Sequence, residues 1–409
     1  MRTSSIRRSR ARVTASAALG MLLVGIASVP AHAAGVRDRQ WHLDTMGAEK
    51  IWQLSTGKGV TVAVVDSGVD RSNPDLSGQV LEGKDFATDE PGDQFTDYTA
   101  HGTGMAGLIA GTGAKDGGNG AFGLAPGAKI LPVRVPGLEA GKVSVAESDK
   151  QFNRVVPQAI KYSADSGAKV INVSLGATAG SQELTDAVKY ALDKGSLVFA
   201  SVGNTGDKSN KTEYPAATPG VVGVGAIDKK LTRIPQSQYG PQVDIVAPGK
   251  DTVTACRAGI CTSTGTSDAT ALASAAAALI WSKHPDWTNN QVLKVMLNTI
   301  AAPTEGDKRN DYIGFGAIRP LRALKTPGDP GPAGVRPIQD LEENVSAAPS
   351  GAASEGATPA APSTAAPAPA PAAQEKSDEG LSATLLIGIG IGAAVLIGGA
   401  VVALRGRRT

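Results

Sequence analysis

The chain of 409 residues has few of the side chains on which many active sites depend. It contains two cysteines and four histidines, and aromatic residues make up 4% of it. The two cysteines are Cys256 and Cys261, so a single disulfide is the most that the chain can form within itself. Any histidine base has to come from a set of four, which are His32, His42, His101 and His284.

A basic surface is also absent. Of the 40 basic residues, five arginines lie before residue 34 and three after residue 404, which leaves 32 against 38 acidic residues. This excess of acidic residues does not favour binding to the phosphate backbone of a nucleic acid, so we expect no nucleic-acid partner.

The first 33 residues have the pattern of a signal peptide. Five arginines precede an apolar run at 15–29, and Ala31-His32-Ala33 supplies small residues before a cut. The alternative is a membrane-spanning start, for which the apolar run is short. We expect cleavage after Ala33, and His32 leaves with the peptide. In the secreted chain, Cys256 and Cys261 are predicted to form a disulfide, with two free thiols as the alternative.

The other end predicts a membrane anchor. Residues 326–380 are rich in Pro, Ala and Ser and predict a disordered linker. Residues 383–404 carry no charge, and these 22 residues are long enough to cross a bilayer. The basic tail at 405–409 predicts a cytoplasmic C-terminus, with the rest of the chain held outside the cell membrane. A buried core helix is the alternative for 383–404.

Between the two ends, residues 34–325 predict one α/β domain with a mainly parallel sheet and helices on both faces. Apolar runs that indicate strands alternate with amphipathic stretches that indicate helices. The predicted strands are 60–65, 128–135, 168–175, 196–202, 221–226 and 243–246, and three of the predicted helices are 152–166, 181–194 and 288–300.

Four polar residues fall at strand ends or helix starts of this domain. Asp66 ends the first strand, His101 begins a helix, and Asn204 follows a strand. Ser267 begins an alanine-rich helix, where it is either a helix cap or a nucleophile in the positive field of the helix start. A serine nucleophile needs a histidine base, a carboxylate that orients the base and an oxyanion donor. The four together therefore indicate a serine hydrolase.

The motifs around these residues resemble those of the subtilisin-like serine proteases, or subtilases, over about residues 40–325. The three principal matches are residues 64–69 (VVDSGV), 101–107 (HGTGMAG) and 265–267 (GTS). Further matches are 171–176 (INVSLG), 203–204 (GN), 214–216 (YPA) and 246–249 (VAPG).

This resemblance implies roles for particular residues. Ser267 attacks the scissile carbonyl, His101 acts as general base and then acid, and Asp66 orients His101. The oxyanion is bound by the Asn204 side chain and the Ser267 backbone N–H. The segment Ser174, Leu175, Gly176 is expected to be an edge segment that pairs with an extended polypeptide substrate; the alternative is an ordinary core strand. No cofactor is implied, and no cluster of oxygen ligands in the sequence predicts a metal site.

The chain departs from the subtilase pattern at three points. The family usually has Met after the serine and Pro four residues beyond it, where this chain has Asp268 and Ala271. Few residues separate Ala33 from Gln40-Trp41, which leaves little room for a pro-domain. The absence of a pro-domain, together with a Pro/Ala-rich linker and a C-terminal anchor, resembles the architecture of the mycosins. These are the membrane-anchored subtilases of actinobacterial type VII secretion systems. No Leu-Pro-x-Thr-Gly signal precedes 383–404, so the anchor is expected to remain.

Two functional hypotheses follow. The first is an active endopeptidase on the outer face of the cell membrane, serving a type VII secretion membrane complex. The second is a structural subunit of such a complex with weak or dispensable activity. An esterase or lipase is disfavoured because no Gly-x-Ser-x-Gly elbow surrounds Ser267 and the chain order Asp, His, Ser is that of subtilisin.

Overall fold

The computed structural model describes residues 35–137, 144–257, 259–304 and 306–341. The predicted signal peptide, the predicted span at 383–404 and the basic tail lie outside these ranges. Within them, no helix has the length and apolar character that crossing a membrane requires.

A parallel sheet forms the centre of the domain. In the described ranges it has seven strands in the order β2-β3-β1-β4-β5-β6-β7. Every neighbouring pair is parallel; in register, Val62 lies beside Ile130 and Val170. The strands are β1 (Thr61–Asp66), β2 (Lys84–Asp85), β3 (Lys129–Arg134), β4 (Val170–Val173), β5 (Leu197–Ser201), β6 (Val222–Ile227) and β7 (Ile245–Pro248). Most of their residues are buried because helices cover both faces. The predicted α/β fold is confirmed.

Helices lie between β2 and β3, between β3 and β4 and between β4 and β5, as the sequence predicts, whereas β5, β6 and β7 follow one another without a helix in the described residues. The helices are α1 (Trp41–Met46), α2 (Ala48–Trp52), α3 (His101–Ala110), α4 (Lys115–Gly118), α5 (Val145–Asp165), α6 (Gln182–Asp193), α7 (Thr266–Lys283), α8 (Asn289–Asn298) and α9 (Pro320–Lys325). Helix α5 begins seven residues before its predicted start at 152. Ser144 caps it by accepting a hydrogen bond from the Glu147 N–H. Its first two turns are mainly exposed and polar, so they carry no apolar periodicity to detect.

Alternate side chains of each strand face the two helical layers. Val62 and Val64 of β1 join the apolar cluster that includes α3 and α7. Ala63 and Val65 join the cluster formed with α5 and α6. This alternation follows from the strand period of two residues and places α7 and α3 on the same face.

A hairpin lies directly before α7, in a part of the chain where no strand is predicted from the sequence. It pairs β8 (Thr252–Cys256) with β9 (Gly259–Ser263) in antiparallel register. The predicted disulfide between Cys256 and Cys261 is present, with the two Cα atoms 5.8 Å apart. The residues of β9 are partly or fully exposed and mostly polar, so no apolar alternation marks this strand in the sequence.

The first part of the predicted linker, which starts at residue 326, has contacts with the domain. Residues 326–341 continue along the domain, and Ile338 is buried in the cluster that contains α7. Asp340 accepts a hydrogen bond from the Gly220 N–H at 2.8 Å and pairs with Arg336. The composition of residues 326–380 as a whole is that of a linker. It therefore gives no sign of the short stretch that Ile338 and Asp340 hold against the domain.

Candidate active site

The carboxyl end of β1 and the start of α3 bring Asp66 and His101 together. Asp66 is fully buried, and its Oδ1 lies 2.7 Å from His101 Nδ1. The Ser67 N–H also donates to Oδ1, at 2.8 Å. The approach depends on Gly102, because a Cβ there would overlap the carbonyl oxygen of Gly68. A side chain at this position would therefore push the histidine away from the carboxylate.

A second carboxylate, Asp97, secures the start of α3. It is buried and accepts hydrogen bonds from the Thr103 N–H at 2.8 Å and the Thr103 hydroxyl at 2.7 Å. Its other oxygen accepts from the Ser67 hydroxyl at 2.9 Å. Asp97 thus satisfies a free N–H of the helix start and joins it to the residue after Asp66. The sequence analysis missed this residue, although it lies in an acidic loop just before the helix.

These carboxylates favour the protonated form of His101. The charge of Asp66 is the main cause, and with contributions from Asp268 and Asp97 it raises the pKa of His101 to about 9, although burial of the ring acts in the opposite direction. The site therefore stabilises the imidazolium, which is the form that a general base reaches when it takes a proton from serine.

Ser267 is the second residue of α7, at the helix end where free N–H groups create a positive field. Its hydroxyl donates to the Ser174 carbonyl at 3.3 Å, and the Ser174 hydroxyl donates back to the Ser267 carbonyl at 3.3 Å. Among the described residues the Ser267 hydroxyl has no hydrogen bond with His101. In the absence of substrate, catalytic hydrogen bonds are often long and shorten when substrate binds.

A buried chain of hydrogen bonds ties this serine to the middle of α7. Ser274 donates to Asn172 Oδ1 at 3.0 Å, and Asn172 Nδ2 donates to the Ser174 hydroxyl at 3.0 Å. Asn172 and Ser274 are both fully buried, so each depends on the other for a partner. Asn172 lies within the 171–176 match, but its pairing with Ser274 could not be predicted because 102 positions separate the two residues in the chain.

Asn204 is exposed and lies beside the start of α7, as an oxyanion donor would require. Its Oδ1 accepts from the Thr266 N–H at 2.9 Å and from the Thr266 hydroxyl at 3.2 Å. With its oxygen held by Thr266, the amide has its Nδ2 available as a donor. A Cβ placed on Gly265 would be 3.5 Å from Nδ2, so this nitrogen lies close to the backbone that leads into Ser267.

The segment Ser174, Leu175, Gly176 follows the carboxyl end of β4, in the middle of the sheet and not at its edge. Ser174 contacts Ser267 as described above. The next residue, Ala177, pairs with Tyr214 through two backbone hydrogen bonds of 2.9 and 2.8 Å. The structure therefore holds the three residues between the candidate nucleophile and a fixed backbone bridge.

Asp268, the first departure from the subtilase pattern, is buried next to the candidate nucleophile. Its Oδ1 accepts a hydrogen bond from the Ser263 hydroxyl at 2.5 Å. Burial raises the pKa of Asp268 to about 6, so the carboxyl is mainly ionised at neutral pH.

In the part of the chain that the structure describes, no group of three His, Cys, Asp or Glu side chains is arranged to hold a metal ion.

Asp66 and Asn204 lie at the carboxyl ends of parallel strands, and His101 and Ser267 lie at helix starts. The site thus has a carboxylate–imidazole pair, a serine and an adjacent amide donor, which are the parts of a serine hydrolase. The sequence profile of the Subtilase family (Peptidase_S8) matches residues 57–316, which is more than half of the chain. The chain belongs to the subtilase family and is a serine endopeptidase.

Individual relatives agree with this family. Thermitase from Thermoactinomyces vulgaris is 37% identical over 211 residues, which cover 52% of this chain and 70% of thermitase. The crystal structure of MycP1 from the ESX-1 type VII secretion system gives a TM-score of 0.64 at 28% identity, over 75% of this chain and 91% of MycP1. A chain in the periplasmic assembly of the ESX-5 inner membrane complex gives 0.62 at 25% identity, over 78% and 90% of the two chains.

Proposed function

We propose that this endopeptidase cleaves polypeptides with Ser267 as nucleophile, His101 as general base and Asp66 as the group that orients His101. The observation that carries the proposal is the 2.7 Å contact between His101 Nδ1 and the buried Asp66 carboxylate, on the face of the sheet where α3 packs against α7. A buried carboxylate in this position selects the imidazole tautomer that leaves Nε2 able to accept the serine proton.

The reaction then proceeds through an acyl-enzyme. Ser267 Oγ attacks the scissile carbonyl while its proton passes to His101 Nε2, and the negative charge of Asp66 stabilises the imidazolium. The oxyanion accepts hydrogen bonds from Asn204 Nδ2 and the Ser267 backbone N–H. His101 gives its proton to the leaving amine, and a water molecule activated by the same histidine releases the acyl group. The segment 174–176 pairs with the extended substrate.

We further propose that the chain works on the outer face of the cell membrane, as part of a type VII secretion membrane complex. Residues 1–33 would direct export and be removed, and residues 383–404 would span the membrane, with 405–409 in the cytoplasm. The likeness to MycP1 and to a chain of the ESX-5 assembly supports this setting.

Fluorophosphonate labelling of the purified full-length chain tests the catalytic assignment. We expect the wild type to be labelled and Ser267→Ala to lose labelling, because the probe bonds only to an activated serine. Ser282→Ala is the matched control, since Ser282 lies near the other end of α7 and donates to the Lys58 carbonyl. Equal labelling of the wild type and Ser267→Ala would contradict the assignment.

Complementation of a deletion strain separates the peptidase from a purely structural subunit. If catalysis is required for secretion, the wild-type gene restores secretion and the Ser267→Ala gene does not. Restoration by Ser267→Ala at normal protein levels would support the structural role.

A further inference from the structure

One carboxylate near the candidate site has no part in the mechanism above. Glu213 is half-buried and lies between two glycine segments. A Cβ added to Gly176 would be 2.5 Å from Glu213 Oε2, and a Cβ added to Gly203 would be 2.7 Å from Glu213 Cδ. The carboxylate therefore approaches both backbones closely, and only glycine permits this at either position.

Both glycines lead directly to the reacting groups. Gly176 is two residues after Ser174, whose carbonyl accepts the hydrogen bond from Ser267. Gly203 immediately precedes Asn204, which is held by Thr266. Consider a peptide with its scissile carbonyl at Ser267 and its backbone paired with residues 174–176. The side chain immediately before the scissile bond then lies beside the segments that contain Gly176 and Gly203. A lysine or arginine side chain at that place is long enough to extend along the backbone to Glu213.

Glu213 is held in place by one of its oxygens only. Oε1 accepts a hydrogen bond of 2.7 Å from the amide of Gln238, which is fully buried and also donates to Thr205 at 2.9 Å. Within the ranges that the structure describes, Oε2 has no hydrogen bond and no lysine or arginine forms an ion pair with Glu213. Glu213 is only half-buried, and Oε2 is not among the side-chain atoms that are both buried and unpaired, so this oxygen is accessible to a substrate side chain.

The surrounding charge adds to the attraction for a cation. Asp149 of α5 accepts hydrogen bonds from the N–H and the hydroxyl of Thr178, in the loop that follows Gly176. Partial burial, together with the charge of Asp149, raises the pKa of Glu213, while the hydrogen bond from Gln238 opposes the shift. A cation bound at Oε2 would stabilise the ionised form of Glu213, because opposite charge stabilises a desolvated carboxylate.

We propose that Glu213 determines substrate specificity by binding the side chain of a lysine or arginine immediately before the scissile bond. The proposal rests on the proposed function of Ser267, because it defines the cut relative to that serine. Glu213 acts on substrate binding and takes no part in proton transfer.

Labelling rates with three peptidyl phosphonate probes test this assignment on the purified full-length chain. The probes are identical except for the side chain before the phosphorus, which carries a guanidinium, an isobutyl or a carboxylate group. For the wild type we expect the guanidinium probe to react about 10- to 100-fold faster than the isobutyl probe, as one charge-assisted hydrogen bond provides. Glu213→Gln should remove most of this ratio.

Glu213→Lys distinguishes specificity from damage to the fold. We expect it to reverse the preference, so that the carboxylate probe reacts faster with this variant than with the wild type. An unfolded variant cannot gain a rate. Asp193→Asn, which changes an exposed carboxylate on α6, is the matched control and should keep the wild-type ratio.

Two results would overturn the assignment. One is a wild type that prefers the isobutyl or the carboxylate probe; the other is a Glu213→Lys variant with the wild-type ratios. An alkyl fluorophosphonate without a peptide shows which proposal fails. If it labels the wild type while the guanidinium preference is absent, only the role of Glu213 is wrong. If it fails to label a folded wild type, Ser267 is not activated, and both proposals are wrong.

Discussion

The two helical layers of the sheet differ in how much of each helix is buried. On one face, every residue of α7 from Thr266 to Trp281 is buried, and seven of these sixteen residues are alanines. On the other face, α5 and α6 bury one side and expose the other, as amphipathic surface helices do. The candidate nucleophile lies on the fully enclosed helix, whereas the exposed layer carries none of the triad.

This difference explains how the site is held. Alanine side chains let α7 approach the sheet closely and leave little freedom for movement, because interiors are densely packed. Polar side chains on such a helix have to find partners inside the protein. Ser274 donates to Asn172, and Asp268 accepts from Ser263. Polar side chains on the outer sides of α5 and α6 are solvated instead, so substitutions there should matter much less.

The largest effect should come from removing the oxyanion donor next to α7. We expect Asn204→Ala to lower kcat by about 100- to 1,000-fold, a range measured for an oxyanion-hole donor in subtilisin, a member of this family. Gln158→Ala is the control on the exposed layer, because among the described residues Gln158 donates only to the Arg154 carbonyl of its own helix. Steady-state kinetics on a peptide substrate measure both. Similar losses in the two variants would contradict the role of Asn204.

Adding volume to each layer should give an intermediate effect. Ala277 is fully buried on α7, and Ala146 is exposed at the start of α5. We expect Ala277→Leu to lower the free energy of unfolding by about 1–3 kcal/mol through overpacking. Ala146→Leu should change it by less than about 0.5 kcal/mol. Denaturant unfolding of both variants measures the difference, and equal values would mean that α7 is not as tightly enclosed as described.

The smallest effect concerns the pH dependence of the reaction. Asp66 is the main cause of the raised pKa of His101, which is about 9, and Asp268 makes a smaller contribution. The neutral base therefore becomes abundant only as the pH approaches this value. Asp268→Asn should lower that pKa and keep an oxygen that can accept from Ser263. The acid limb of the kcat/KM profile should then move to lower pH, with a few-fold gain at neutral pH.

The control for this shift is Asp165→Asn, an exposed carboxylate at the end of α5. It should leave the acid limb in place because exposed charges are screened by solvent. A profile of Asp268→Asn that coincides with the wild type would show that Asp268 does not act on His101.

The success of the sequence analysis depended on how local each signal was. Apolar runs and helix periodicity predicted the six strands β1, β3, β4, β5, β6 and β7, and the motifs predicted the family. The hairpin before α7 was missed because β9 is exposed and polar. The contacts of residues 326–341 with the domain were missed because this short stretch has the composition of a linker. The roles of Ser267, His101, Asp66 and Asn204 stay predictions.

The sequence by itself determined the α/β class, the subtilase family and the disulfide between Cys256 and Cys261, since each depends on patterns of residues that are close together in the chain. Only the tertiary structure decided which distant groups meet. Asn172 and Ser274 satisfy each other across the interface between β4 and α7, and Glu213 lies against Gly176 and Gly203. The physical reason is that contacts between distant residues form only when strands pair and helices pack. The local sequence of one segment does not specify which other segment will pack against it.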